Sequence, residues 1–411
     1  TRTTHSFGRD MEELRGVELL PEPGEPKILS AVDPSTAGHE GQWRAEVTGW
    51  APVVPDTVPF RTRRVFSLAS GLVIALFMGI IVVLWQSDLL LLQLPPSTSE
   101  WAFEDSEIRD LQATGLTGEG VRVCMVDTGI SLTHTSLEGS NVVFEDFVGN
   151  SGTPTDYGSI AHGTLMAGIL LSNDFQQGIA PNVTLGMAAA LSANGENNTG
   201  SETRVSDAIR WCIFDFEADI ISLSLGGSQD QSASREGPAV SATRQAVDAG
   251  VFVVAAAGND GGSGDDGFVS APGNVNLVIT VGASDREGNV WSQSSMGESL
   301  DSDGNERVYP NQKPELTAPG VDILSTGMDN QWYTSSGTSD ATVFVAGALA
   351  LILEAHPELK PNAQSSTGCI ELVKRALADS MNSDSQHDPK QGYGQLKASA
   401  WLGQIPDEIT C

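Results

Sequence analysis

The sequence predicts an α/β domain, a mostly parallel sheet with helices on both faces, preceded by one transmembrane helix. Three observations carry this expectation. Short, near-continuous apolar runs bounded by turn residues recur from about residue 120 onward, as strands buried on both faces do. Longer helical patterns alternate with them, the order that builds parallel sheets. Upstream, Val65 to Trp85 is free of charge and follows Arg61, Arg63 and Arg64, long enough to cross a bilayer as a helix.

In chain order, residues 1–64 are polar, rich in Pro, Gly and Glu and without sustained period, so they read as a largely disordered tail. The span 65–85 is too long and uniformly apolar for a core helix, and Trp85 sits where an interfacial aromatic belongs. The arginines before it place the tail in the cytoplasm and the rest of the chain outside. A cleaved leader does not suit a run that follows so long a tail and lacks an A-x-A site after it. The span is therefore expected to be a signal anchor in the cell membrane. Residues 86–100 form a tether, 101–402 the globular domain and 403–411 a C-terminal tail.

Within the domain a first helix is expected over Glu104–Thr114, ended by Gly115. Strands are expected at Val121–Val126, Val183–Ala189, Asp219–Leu225, Val251–Ala256 and Leu277–Val281. The expected helices are Gly163–Leu171, Glu202–Phe214, Pro238–Ala249, Ala341–His356 and Ser366–Ser380. Sites in such folds lie beyond the C-terminal ends of the strands. Asp127 and Asn259 both stand just past such an end.

Charge and cysteines narrow the partners. The chain carries 22 Lys and Arg against 53 Asp and Glu, a formal charge of −31. Residues 86–411 alone hold 14 basic against 43 acidic residues, which argues against nucleic acid or anionic lipid as partners of that part. Such a surface suits a saline medium, where its self-repulsion is screened; general solubility is the alternative. Cys124, Cys212, Cys369 and Cys411 match no zinc spacing. Cys124 and Cys212 read as core thiols. Cys369 and Cys411 bracket the C-terminal end, and their pairing in an oxidising medium is left open.

The chemistry gathers around Ser339. Tyr333–Thr338 is a polar turn of small residues, and Phe344–Leu353 is an apolar helical run, so Ser339 falls at a helix start among unpaired N–H groups. A helix-capping serine is the plain alternative. Asp127 ends a strand and His162 opens a helix, and Asp, His, Ser is one known order of a catalytic triad. Asn259, ending the run Ala255–Gly258, offers an amide to a developing oxyanion. His134 is a rival base in what reads as a surface loop, Ser131 to Ser136.

These pieces make the chain resemble the subtilisin-like serine proteases. The matching motifs are D-T-G-I at Asp127, H-G-T-x-x-A-G-I at His162, S-L-G at Ser224, A-A-G-N at Asn259 and G-T-S-x-A at Ser339. Gly178–Pro181, Val281–Ala283, Lys313–Gly320 and Gly392–Gly394 add family-like segments in the same order, across roughly residues 100–402. The resemblance implies a subtilisin-like three-layer fold and a serine endopeptidase. Asp127, His162 and Ser339 would form its triad and Asn259 its oxyanion donor. Substrate polypeptide would lie as an added strand between Ser222, Ser224, Leu225 and Gly226 on one side and Ala256, Ala257 and Gly258 on the other. Ser270 and Ala271 are expected at the floor of its first pocket. No cofactor is required for this chemistry. Structural calcium is common in the family, and Asp301, Asp303 and Asn305 are candidate ligands; a solvated acidic loop is the alternative.

The sequence departs from the family pattern after the serine, with Asp340, Val343 and Phe344 in place of the usual Met, Pro and His. Asp340 puts a carboxylate next to the nucleophile. A scaffold silenced by it, and kept for binding, is the alternative function. The tether is too short to fold as a pro-segment. An aspartic protease reading of Asp127-Thr128-Gly129 fails for want of a second D-T-G or D-S-G.

Overall fold

The computed structural model describes residues 18–20, 30–32, 73–80, 99–227, 236–263, 265–297, 299–301, 305–361, 367–381, 386–409 and 411. The chain separates into two units, Thr1–Leu92 and Gln93–Cys411. In the first, Glu18–Leu20 pairs antiparallel with Ser30–Val32, inside a tail that the sequence reads as irregular. Three-residue strands are too short to leave a period in the sequence. Residues 73–80 are helical, with Val73, Ile74, Leu76 and Phe77 exposed. The remainder of the expected 65–85 span, and most of the tail and tether, lie outside the described residues.

The second unit is built on a seven-stranded sheet. Its strands are β1 (Arg122–Asp127), β2 (Val142–Asp146), β3 (Thr184–Ala189), β6 (Ile220–Leu223), β7 (Phe252–Ala256), β8 (Ile279–Ser284) and β9 (Leu316–Pro319). Two hairpins lie beside it: β4 (Ser192–Asn194) with β5 (Asn197–Thr199), and β10 (Ile323–Thr326) with β11 (Trp332–Ser335). The sheet order is β9-β8-β7-β6-β1-β3-β2, every pair parallel. From β1 the chain first extends the sheet through β2 and β3, then crosses to the other side with β6 and beyond. The β1–β6 boundary is therefore the topological switch point, where parallel sheets open a crevice for ligands.

The helices are α1 (Glu100–Asp105), α2 (Ile108–Ala113), α3 (His162–Leu171), α4 (Glu202–Phe214), α5 (Pro238–Asp248), α6 (Thr338–Ala355), α7 (Thr367–Met381) and α8 (Ala398–Gln404). α3 and α6 pack on each other and on the sheet, while α4 and α5 form a second pair against it. The α6 helix is apolar on all sides and buried from Ala341 to Leu353, as befits a helix at the centre of a core. It is long and apolar enough to cross a membrane, but 89% of it is enclosed by the domain.

Apart from the first helix, the strands and helices expected from the sequence form, with ends shifted by a few residues. One helix does not survive whole. The expected Glu104–Thr114 segment is broken into α1 and α2 at Glu107, whose φ is 60°. That turn lets the Glu107 carboxylate accept the N–H of Ala400 at 3.0 Å, a long-range bond that local helix propensity cannot register. The cysteines also correct the expectation. Cys124 and Cys212 are joined as a disulfide that ties β1 to α4, and Cys369 pairs with Cys411. The first pair is 88 positions apart in the chain, so only the packing of α4 on the sheet reveals it.

A buried ionic cluster clamps β8, β9 and α7 together. Glu315 Oε1 accepts from Lys313 Nζ at 2.9 Å and from Lys374 Nζ at 2.6 Å, and Oε2 accepts the Thr280 N–H at 2.7 Å. Both lysine side chains are fully enclosed. Burial pushes Lys313 well below the usual lysine range and Lys374 below it too, with Glu315 opposing both shifts. Burial alone would raise Glu315, but the two ammonium groups hold it low. Removing the one anion shared by two buried cations is expected to cost about 3–5 kcal/mol. Glu315→Gln should therefore lower the denaturant midpoint sharply. The deficit should shrink as pH rises, because the enclosed lysines lose their protons at lower pH than they do in the unfolded chain. A deficit that is small, or constant across alkaline pH, would contradict this account of the cluster.

Candidate active site

The end of β1 and the start of α3 meet at unusually close range. A Cβ on Gly163 would collide with the carbonyl of Gly129, and one on Gly129 would collide with the carbonyl of Thr155. Glycine at both positions lets the two backbones touch. Asp156 then joins the elements. Its Oδ2 accepts from Thr164 N at 2.8 Å and Thr164 Oγ1 at 2.6 Å, and its Oδ1 from Thr128 Oγ1 at 2.7 Å. Thr128 Oγ1 accepts in turn from Gly163 N at 2.9 Å. Asp156 thus supplies the cap that Ala161, the residue preceding α3, cannot. The sequence reading missed it, and its only local trace is a polar Asp-Tyr-Gly turn six residues before His162.

This frame presents His162 to Asp127. His162 Nδ1 lies 2.8 Å from Asp127 Oδ1 and 3.0 Å from Oδ2, and Oδ1 also accepts the Thr128 N–H at 2.7 Å. Asp127 is buried, while the His162 side chain keeps 19% of its surface open. Burial lowers the affinity of the imidazole for a proton, but the Asp127 carboxylate outweighs it, with help from Asp340 and Asp156. Together they raise His162 to about 9.

Ser339 is the second residue of α6 and faces the turn after β6. Its Oγ donates to the Ser224 carbonyl at 3.2 Å, and Ser224 Oγ donates to the Ser339 carbonyl at 3.1 Å. This reciprocal pair joins the turn that bears Ser339 to the switch point of the sheet. Asn259 is oriented from its oxygen end. Oδ1 accepts from Thr338 N at 3.0 Å and Thr338 Oγ1 at 2.8 Å, so Nδ2 is the end left to donate elsewhere. A Cβ on Gly337 would sit 3.4 Å from Asn259 Nδ2 and 3.6 Å from Asp340 Oδ2. The amide donor and the Asp340 carboxylate therefore flank one point beside Ser339, no more than about 7 Å apart.

Asp340 is 2% exposed and accepts a hydrogen bond from Ser335 Oγ in β11; its side chain faces inward rather than toward solvent. Burial raises it to about 6, against the lowering effects of Ser335 and His162. His134 is also buried, which corrects its reading as a surface side chain. Its Nδ1 accepts the Ser136 N–H at 3.1 Å, and its ring meets Trp332 edge-on at 4.8 Å. Burial lowers its pKa, opposed by Asp174.

A cleft of about 380 Å³ opens from His162 along the strand end of β6. Ser224, Leu225, Gly226, Ala271 and Pro272 line it. Ser222 is enclosed within β6, and the side chains of Ala256 and Ala257 are buried too. Gly258, at φ 113°, continues that segment. Ser270 closes the space between the segments, lying where a Cβ on Gly226 or Gly258 would go. Of the proposed calcium ligands, Asp301 Oδ1 accepts the Asn305 N–H at 2.9 Å, and Asp303 lies outside the described residues. Among the described residues no group of three His, Cys, Asp or Glu is placed to hold a metal ion.

The chain is similar to known proteins. A family profile described as the subtilase family, peptidase S8, covers residues 118–394. Serine protease AprX of Bacillus subtilis (strain 168) is 34% identical over 326 residues, 72% of this chain and 70% of its own. Subtilisin DY of Bacillus licheniformis is 36% identical over 252 residues, 61% of this chain and 82% of its own. The major intracellular serine protease of Bacillus subtilis (strain 168) is 33% identical over 276 residues, 65% of this chain and 79% of its own. The structure of the prenylagaramide maturation protease PagA superposes with a TM-score of 0.57 at 24% identity, over 74% of this chain and 99% of that one. It speaks for the fold alone.

The electrostatics make a direct prediction. Removing the Asp340 charge takes away one of the carboxylates that favour protonated His162, so Asp340→Asn should lower the imidazole midpoint. Followed by proton NMR, the His162 midpoint should lie above 6.5 in the parent and fall by about half a unit to one unit in the variant. An unmoved midpoint would show that Asp340 and His162 are not electrostatically coupled.

Proposed function

The chain belongs to the subtilase family and is a serine-type endopeptidase, and we propose that it cleaves polypeptides through Asp127, His162 and Ser339 on the outer side of a membrane. The observation that carries the catalytic assignment is the two-point contact of the Asp127 carboxylate with His162 Nδ1. In this reading the working form is the neutral imidazole, populated as pH rises toward about 9; Nδ1 holds its proton toward Asp127, which leaves Nε2 with the lone pair. Nε2 takes the proton of Ser339 Oγ as that oxygen attacks the peptide carbonyl. Asp127 stabilises the imidazolium that forms.

The carbonyl oxygen becomes an oxyanion as the tetrahedral intermediate forms. The Ser339 N–H and Asn259 Nδ2 donate to it, and losing one such donor typically costs about 2.7–4 kcal/mol. Thr338 favours this role by occupying the other end of the Asn259 amide. Collapse of the intermediate breaks the C–N bond, with the amine taking the proton from His162. Water, activated by the same imidazole, then releases the acyl group from Ser339. These steps use side chains and backbone of this chain alone. Structural calcium, with Asp301, Asp303 and Asn305 as ligands, would act on loop stability and not on the reaction.

The location is read from two independent features. Arginines precede the uncharged 65–85 span, which favours a cytoplasmic N-terminus and an outer peptidase domain. Both cysteine pairs in the domain are disulfides, a chemistry that suits an oxidising medium.

An organophosphonate probe should label the purified protein and fail to label Ser339→Ala. Ser339→Ala and His162→Ala should each lower kcat by about 10⁶-fold without changing the denaturation midpoint appreciably. His134→Ala should retain turnover in whatever fraction folds. A parent protein that resists the probe would favour the silenced-scaffold reading. For the topology, protease added to intact cells should digest the region beyond about residue 90 and spare an N-terminal tag. Protection of the domain instead would place it on the inner side.

A further inference from the structure

The cleft beside His162 is mostly apolar, with Leu191, Val205, Leu225, Ala239, Val240 and Pro272 among its walls. One carboxylate, Glu202, lines it, and His162 and Glu202 are the cleft's only ionisable lining groups among the described residues. Glu202 opens α4, and its carboxyl group rests against Gly237, the residue that caps α5, so closely that a Cβ there would collide with it. It therefore lies at the N-terminal ends of two helices of 13 and 11 residues. Glu202 is exposed, and among the described residues no Lys or Arg pairs with it.

An apolar trough lined by one fixed anion is complementary to a side chain with a long methylene stem and a cationic tip. Lys and Arg have that shape, burying the stem while the charge stays at a wet rim. We propose that Glu202 is a specificity-determining residue, selecting a Lys or Arg side chain of the substrate at the position that occupies this cleft. The proposal rests on the cleft being the substrate site of the peptidase described above. The acidic domain surface, 43 acidic against 14 basic residues beyond position 85, would add steering of cationic polypeptides toward it.

The selectivity is testable in binding, apart from turnover. In the Ser339→Ala protein, peptides from a positional library carrying Lys at one site should bind more tightly than their norleucine counterparts, which keep the stem and lack the charge. The ratio should be about fivefold at low salt and should contract as ionic strength is raised toward about 1 M. In the Ser339→Ala, Glu202→Gln protein the ratio should fall to about one while norleucine affinity is unchanged. Glu202→Lys in the same background should favour Glu over Lys at that site. A Lys preference that survives Glu202→Gln, or equal affinities for Lys and norleucine peptides at every site in the parent, would overturn the assignment of Glu202. Because these are affinities, a failure of catalysis would leave them readable, and failure of phosphonate labelling would identify that separate error.

Discussion

The close approach of α3 to β1 is the constraint on which the cleft depends. Asp127 is fixed by a strand and His162 by a helix, so their contact is only as good as the placement of one element against the other. Two glycines permit the approach and Asp156 locks it, through bonds to both Thr128 and Thr164. The bond from the Thr164 N–H also satisfies a donor that the helix start would otherwise leave unpaired. The same atoms thus serve local backbone needs and set the geometry of the imidazole. Ser339 arrives from a separate direction, on the buried α6, and is tied to the switch point of the sheet by its exchange with Ser224.

Charge inside this site is concentrated and mostly negative. Asp127, Asp156 and Asp340 all act on His162 in the same sense, and burial of the ring works against them. Asp340 differs from the others because it also faces the side on which Asn259 presents its amide. Its enclosure raises its own proton affinity, against the lowering effects of the Ser335 hydrogen bond and of His162, so its charge changes within a range where His162 is still protonated. The neighbour of Ser339 is thereby an electrostatic adjuster of the site rather than a solvent-facing charge.

Away from the cleft, stability rests on interactions that span long stretches of chain. Glu315 holds two buried lysines and the β8 backbone at once. The Cys124–Cys212 disulfide links the strand that ends at Asp127 to the helix that begins at Glu202. Such a link limits the unfolded chain more than it reshapes the folded one, in the loop-entropy view.

The sequence by itself determined the parallel α/β architecture, because strands buried on both faces write continuous apolar runs and the helices between them write their own period. It also singled out Asp127, His162, Asn259 and Ser339, since each stands at an element's end where such folds gather chemistry, and their motifs carry a recognisable order. What it could not reach depends on distance in the chain. The capping role of Asp156, the Cys124–Cys212 pair, the break at Glu107 and the burial of His134 each involve partners that no local period encodes. Asp340 was visible as an oddity, but whether its carboxylate met water or Ser335 was decided by how β11 packs against α6. Glu202 was one acidic residue among 53 until the fold set it in the lining of the cleft, because only tertiary structure converts a position in the chain into a position in an electric field.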